Sequence, residues 1–263
     1  MRLPALICIL LFSATLQSAH AECLPMTIAV DATERQALVC GNRKAGSAAP
    51  LVLALHGRGG NAENMASSTQ IHAAWPEAIV AYPEGLTGNP APYDPKGARR
   101  GWQINPGELN DRDVRFVDAL LDALIEKHKP DLSRIYAVGH SNGARFAGIL
   151  WAMHAPRFAA FAFSAGQAGV LIENAQPRPV FMSMGRRDEI IPFASQWPSI
   201  EYARKRLKTQ SGSAFEYGYL RSEQGADGME LMTFIHPGGH VWPDGQTRHT
   251  VNFFKRHRLR SVP

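Results

Sequence analysis

Three cysteines in 263 residues are too few for a fold stapled by many disulfides. Beyond the first twenty residues no stretch approaches the roughly 20 consecutive apolar residues of a spanning helix, so the body of the chain is not expected to cross a membrane. The ten histidines include no H-E-x-x-H or comparable ligand spacing, which leaves a metal site without support. Internal repeats and low-complexity tracts are also lacking. Charge is modest, with 28 basic against 23 acidic residues, and the basic residues are scattered apart from Lys255-Arg256-His257-Arg258-Leu259-Arg260. That segment reads as a solvated helix face and tail, and no basic-aromatic array points to nucleic acid. A basic surface still draws anionic polymers by long-range attraction.

The N-terminus reads as an export signal over residues 1–21: Arg2, an apolar run from Leu6 to Leu16, and the small-x-small site Ala19-His20-Ala21. Glu22, not a small residue, precedes Cys23, so lipid anchoring is set aside. A mature chain of residues 22–263 is then expected as one domain, secreted or periplasmic, monomeric and without a membrane partner. Its charge is +4, because Arg2 leaves with the signal (27 basic minus 23 acidic). Cys8 leaves too, and Cys23 and Cys40 remain as the one pair in an oxidising compartment. They are expected to be bridged, two buried thiols being the alternative.

The pattern of elements alternates. Met26 to Val30 and Ala37 to Val39 flank a polar turn and read as a β-hairpin. The continuous apolar run Leu51–Leu55 reads as a strand buried on both faces, and the apolar-rich segments Ile79–Tyr82, Ile135–Val138, Ala160–Phe163, Val180–Met184 and Met232–Ile235 read as further strands. Helices are expected over Ala62–Trp75, from a cap at Asn110 to Pro130, after Ser141, at Ile200–Leu207 and at Arg248–Arg256. The proline- and glycine-rich stretch from Glu84 to Glu108 reads as a long functional loop. Together these predict an α/β fold with a mostly parallel central sheet, helices on both faces and an N-terminal hairpin.

Gly139-His140-Ser141-Asn142-Gly143 matches G-x-S-x-G between an expected strand and an expected helix, the setting that presents a serine hydroxyl on a sharp turn. A serine hydroxyl needs a base, and the base needs a carboxylate to fix its tautomer. In chain order Ser, acid, His, the candidates are Asp188 just past a buried strand and His240 in a Gly-Gly-His loop after the last strand. Glu189 competes for the acid and His236 for the base. Attack on an acyl carbon makes an oxyanion. The backbone N–H of Asn142, with that of Arg58 or Gly59 in the turn His56-Gly57-Arg58-Gly59-Gly60, are the expected donors.

These segments, with Tyr82-Pro83-Glu84-Gly85, Gly101-Trp102, Asp113-Val114-Arg115-Phe116 and Gly239-His240-Val241-Trp242-Pro243, resemble the secreted feruloyl esterase and poly(3-hydroxybutyrate) depolymerase-like family of α/β hydrolases. The resemblance runs from about Pro50 to Phe254 and implies carboxylic-ester hydrolysis through an acyl-enzyme with no cofactor. Small-molecule or polymeric esters are the implied substrates, foremost feruloyl or other small acyl esters of plant polysaccharide, then short-chain polyesters. A peptidase, a thioesterase or a non-catalytic binding protein on the same scaffold are the alternatives. Two departures flank the acyl site: Ala144-Arg145 stand where glycine and an apolar residue are common, and Arg58 where an aromatic or cysteine is common. Arg58 either recognises a carboxylate or points to water. Trp102 and Trp242 either wall the pocket or pack the loops onto the body.

Overall fold

The computed structural model describes residues 23–41, 48–92, 94–209, 215–217 and 219–259. The expected signal, residues 1–21, lies outside them. A single ten-stranded sheet runs through the described residues, in the order β1-β2-β4-β3-β5-β6-β7-β10-β9-β8. Strands β3 (Leu51–Leu55), β4 (Ile79–Pro83), β5 (Ile135–His140), β6 (Ala160–Ser164), β7 (Val180–Gly185) and β10 (Glu230–His236) pair in parallel. The apolar runs are buried along almost their whole length because side chains alternate between two covered faces. Leu51, Leu53 and Leu55 point into one core with α3 (Arg112–His128), α4 (Asn142–His154) and α5 (Phe193–Leu207). Val52 and Ala54 point into the other, with α1 (Ala62–Thr69), α2 (Ile71–Ala74) and α6 (Gln246–Arg256).

The expected hairpin is β1 (Leu24–Val30) and β2 (Thr33–Gly41), turning at Asp31, and β2 joins the sheet antiparallel to β4. The expected bridge is present between Cys23 and Cys40. Arg35 of β2 is buried and pairs with buried Asp113 of α3 at 2.9 Å, with its guanidinium over the Phe116 ring.

Three local expectations change. The helix over Ala62–Trp75 is two helices, broken where Gln70 turns left-handed (φ 46°) and caps α1 through Ala66 O; the turn lets both Ile71 and Trp75 reach the core. Asn110 does not cap α3. It sits at φ 54° in a 3₁₀ turn, α3 begins at Arg112, and the Asp111 carboxylate is committed to Gln103 Nε2 (2.7 Å) and the Gly107 N–H (2.8 Å) of the long loop. The edge strands β8 (Phe215–Tyr217) and β9 (Leu220–Gln224) were not legible in the sequence, because β9, Leu-Arg-Ser-Glu-Gln, has no apolar alternation and is set by its register on β10.

The chain passes from β3 outward to β4 and then back to β5 on the other side of β3. That reversal opens a crevice at the carboxyl ends of β3 and β5, the position where open α/β sheets place their ligands.

Candidate active site

Ser141 occupies the turn from β5 to α4 at φ 56°, ψ −119°, a conformation that costs a non-glycine residue about 1–3 kcal/mol. The flanking glycines are required by close approach. A Cβ on Gly139 would overlap the Gly143 carbonyl, and one on Gly143 would overlap the Leu55 carbonyl at the end of β3. The hydroxyl makes no hydrogen bond among the described residues. As first residue of α4, Asn142 carries one of the N–H groups that a helix leaves without an internal acceptor.

Asp188 lies in the turn after β7, and His240 in the loop after β10. The two loops are joined backbone to backbone: Arg186 N–H donates to His236 O (2.9 Å) and Arg187 N–H to Gly238 O (3.0 Å). Within that frame His240 Nδ1 meets Asp188 Oδ2 at 2.8 Å. With a carboxylate as partner, Nδ1 carries the proton and Nε2 keeps its lone pair. Asp188 is buried and takes three further donors: the Ile190 and Ile191 N–H groups on Oδ1, at 3.0 and 2.9 Å, and Gln196 Nε2 on Oδ2 at 3.0 Å. The base ring packs beside the serine turn, its centroid 5.1 Å from that of His140, the residue before Ser141. Burial pushes His140 down to about 4, and it stays neutral against His240.

The competitors fall elsewhere. Glu189 is exposed. His236 is buried against Phe234, and its Nδ1 accepts the Gly238 N–H, so it shapes the loop.

The turn after β3 lies directly against the serine: a Cβ on Gly57 would sit 3.2 Å from Ser141 Cβ. Of its two expected donors, Gly59 is excluded, since its N–H is committed to Arg100 O at 2.7 Å. The Arg58 N–H is the one the reading retains. Arg58 does not point to water; its buried guanidinium donates to Asn89 O at 2.6 Å and lies 3.4 Å from Asp94.

Neither tryptophan is among the residues that line the cleft beside Ser141. Trp102 is fully buried, stacked on Phe146 at 5.0 Å, because its indole N–H is needed by His56 O (2.9 Å). Trp242 donates to Thr247 Oγ1, which donates to Thr69 O, and so packs its loop onto α1. The cleft beside Ser141, about 410 Å³, is lined by Arg58, Asn142 and Arg145 together with residues the sequence did not single out, among them Pro92, Ile104, Ile190, Ile191 and Pro192. Gln196, with its donor on the Asp188 carboxylate, was also missed; a glutamine inside a helix carries no sequence signal. One further cluster, Cys23, Cys40 and His72, brings possible metal-ligand atoms within 4.8 Å of one another, but both sulfurs are spent in the disulfide.

The fold is that of the α/β hydrolases. The chain belongs to the family described as Esterase PHB depolymerase, whose model matches residues 36–192. It is 28% identical over 239 residues to the protein NocK of Nocardia uniformis subsp. tsuyamanensis and 27% identical over 147 residues to the bifunctional acetylxylan esterase/xylanase XynS20E of Neocallimastix patriciarum. These matches take in 74% and 55% of this chain but 66% and 20% of those proteins, so the chain spans less than two thirds of either. Among solved structures, the acetyl xylan esterase of Aspergillus awamori superposes with a TM-score of 0.68 at 13% identity, covering 88% of this chain and 99% of that one. A Bacillus cereus carboxylesterase gives 0.58 at 18% identity, covering 84% and 94%.

Proposed function

We propose that the chain is an exported, monomeric, single-domain carboxylic-ester hydrolase acting through Ser141, His240 and Asp188. The observation that carries the reading is the Asp188–His240 hydrogen bond, held beside the strained serine turn. His240 Nε2 takes the Ser141 proton as Oγ attacks the ester carbonyl, and the Asn142 and Arg58 N–H groups receive the oxyanion. His240 then gives the proton to the departing alcohol. Water, deprotonated by the same nitrogen, cleaves the acyl-enzyme and restores the hydroxyl.

The substrates proposed are small acyl esters of plant polysaccharide, feruloyl or acetyl. A small, largely apolar cleft and a relative named for acetylxylan support this class. Short-chain polyester is the second reading, favoured by exposed Ile190 and Val241, which follow Asp188 and His240 and give the site an apolar rim. Export is supported by the disulfide and the N-terminal pattern; among the described residues no helix is long and apolar enough to cross a membrane.

A serine-directed phosphonate should label Ser141 of the wild type, and Ser141→Ala should fold but lose several orders of magnitude in rate. A panel of acetyl, feruloyl and hydroxybutyrate esters ranks the substrates. A folded Ser141→Ala protein with near-normal ester turnover would remove the nucleophile and the reading with it.

A further inference from the structure

Two charged side chains line the cleft beside Ser141, Arg58 and Arg145, and no acidic residue among the described residues does. Their charges are not equivalent. Arg58 has Asp94 at 3.4 Å. Arg145 has no carboxylate within 4 Å among the described residues. It stands one turn along α4 from the serine, its own N–H on Ser141 O at 3.2 Å, and the two residues line the same cleft. Its guanidinium is held by three neutral acceptors: Ile104 O at 2.8 Å, Ala168 O at 3.2 Å and Asn105 Oδ1 at 3.1 Å. The nearest acid acting on it, Glu108, has its carboxylate committed to Ile104 N–H and to Asn105 N–H and Nδ2. Three of five N–H donors are thus spent on fixing the planar fork, and two remain.

A half-buried cation held rigidly by neutral groups, on an apolar wall and one turn from the attacking oxygen, is built to meet an anion brought by the ligand. We propose that Arg145 is a specificity-determining residue and that the preferred esters carry a carboxylate close to the scissile bond. This rests on the esterase reading above and names the substrate class of that site. The carboxylate belongs either to the acyl part, as in a half-ester of a dicarboxylic acid, or to the alcohol part, as in an acylated hydroxy acid or a uronic-acid-bearing saccharide.

Two substrate pairs separate these sources. Mono-(4-nitrophenyl) adipate against its terminal amide tests the acyl side, and 4-acetoxybenzoate against 4-acetoxybenzamide tests the alcohol side. In at least one pair kcat/KM should favour the anion by about tenfold or more, the scale of a charge-assisted hydrogen bond, mainly through KM and less at high salt. Arg145→Gln should collapse that ratio, and Arg145→Lys should retain part of it. If both neutral amides are turned over as well as their anions, the inference is overturned and the esterase reading stands. If no ester is turned over, the esterase reading falls, and Kd for the same four esters on Ser141→Ala decides: a tenfold preference for an anion that Arg145→Gln removes upholds the carboxylate site, and equal affinities overturn it.

Discussion

The side chain of Asn142 closes on both main-chain atoms of Trp102: Oδ1 accepts its N–H at 2.7 Å and Nδ2 donates to its carbonyl at 3.1 Å. The residue after the candidate nucleophile therefore anchors the long loop, while the Trp102 indole carries the tie on to His56 and the oxyanion turn. Asn142→Ala keeps the backbone N–H at position 142 but leaves the buried Trp102 amide unsatisfied, at a cost of about 2 kcal/mol. The urea midpoint should fall, and the Trp102 amide should lose protection against hydrogen exchange. Unchanged protection would mean that other contacts hold the loop.

Asp188 and Glu189 are adjacent, yet one is buried under four donors and the other is exposed. Asp188→Asn should lower kcat by about 10⁴-fold, since an amide there favours the wrong tautomer of His240. Glu189→Gln should stay close to wild type. Gln196→Leu withdraws one donor from a buried carboxylate and should cost about 2 kcal/mol of stability, with a smaller loss of rate than Asp188→Asn. The reverse ranking of the two acids in parallel assays would hand the orienting role to Glu189.

The parallel strands were legible because burial on both faces writes an unbroken apolar run, as in Leu51–Leu55. The sharp turn at Ser141 was legible because it demands glycine on both sides, and the candidates Ser141, Asp188 and His240 follow the carboxyl ends of β5, β7 and β10. What the sequence hid depends on pairings across long separations. Trp102 had the composition of a pocket wall, but its fate was decided by His56 and Phe146, which lie 46 and 44 residues away. That the Gly59 N–H is already spent depends on the Arg100 carbonyl, 41 residues away. The pairing of Arg58 with Asp94 likewise joins residues 36 apart in the chain.

His56 gives the fold an acid-sensitive point. Its Nε2 accepts the Gly85 N–H at 2.9 Å and its Nδ1 lies 2.7 Å from Gly57 O, so the ring is neutral with the proton on Nδ1. Burial pushes its pKa down to about 4, the Gly57 carbonyl opposing and the Arg100 charge reinforcing the fall. A folded-state value below the unfolded 6.5 means that the unfolded chain binds the proton first. The associated stability is complete above about pH 6.5 and is lost as pH falls towards 4, up to about 3 kcal/mol. His140, also near 4 through burial, acts in the same direction. Urea unfolding at pH 7.5, 6 and 5 should show the decline, with a shallower slope in His56→Asn. Equal stabilities across that range would remove the buried neutral histidine from the account.

The Cys23–Cys40 bridge should matter to stability and not to turnover, for a reason visible in the register. Cys40 pairs with Val80 near the start of β4, whereas the candidate site lies at the carboxyl ends of the strands, where Ala37 meets Pro83. From this hairpin Arg35 reaches the loop through Glu84 O and Asp113, five residues back along β2 and independent of the sulfurs, beside the Glu84 N–H on Gln36 O. A bridge across 17 residues constrains the unfolded chain by about 3 kcal/mol in the loop-entropy account. Reduction should then lower Tm by roughly 6–12 °C for a chain of this size. At moderate temperature kcat/KM should be unchanged, while Arg35→Met should weaken both stability and loop order. Mass spectrometry of unreduced, alkylated protein establishes the bridge in the folded chain. A loss of activity on reduction that precedes unfolding would show that the far end of the hairpin is coupled to the site.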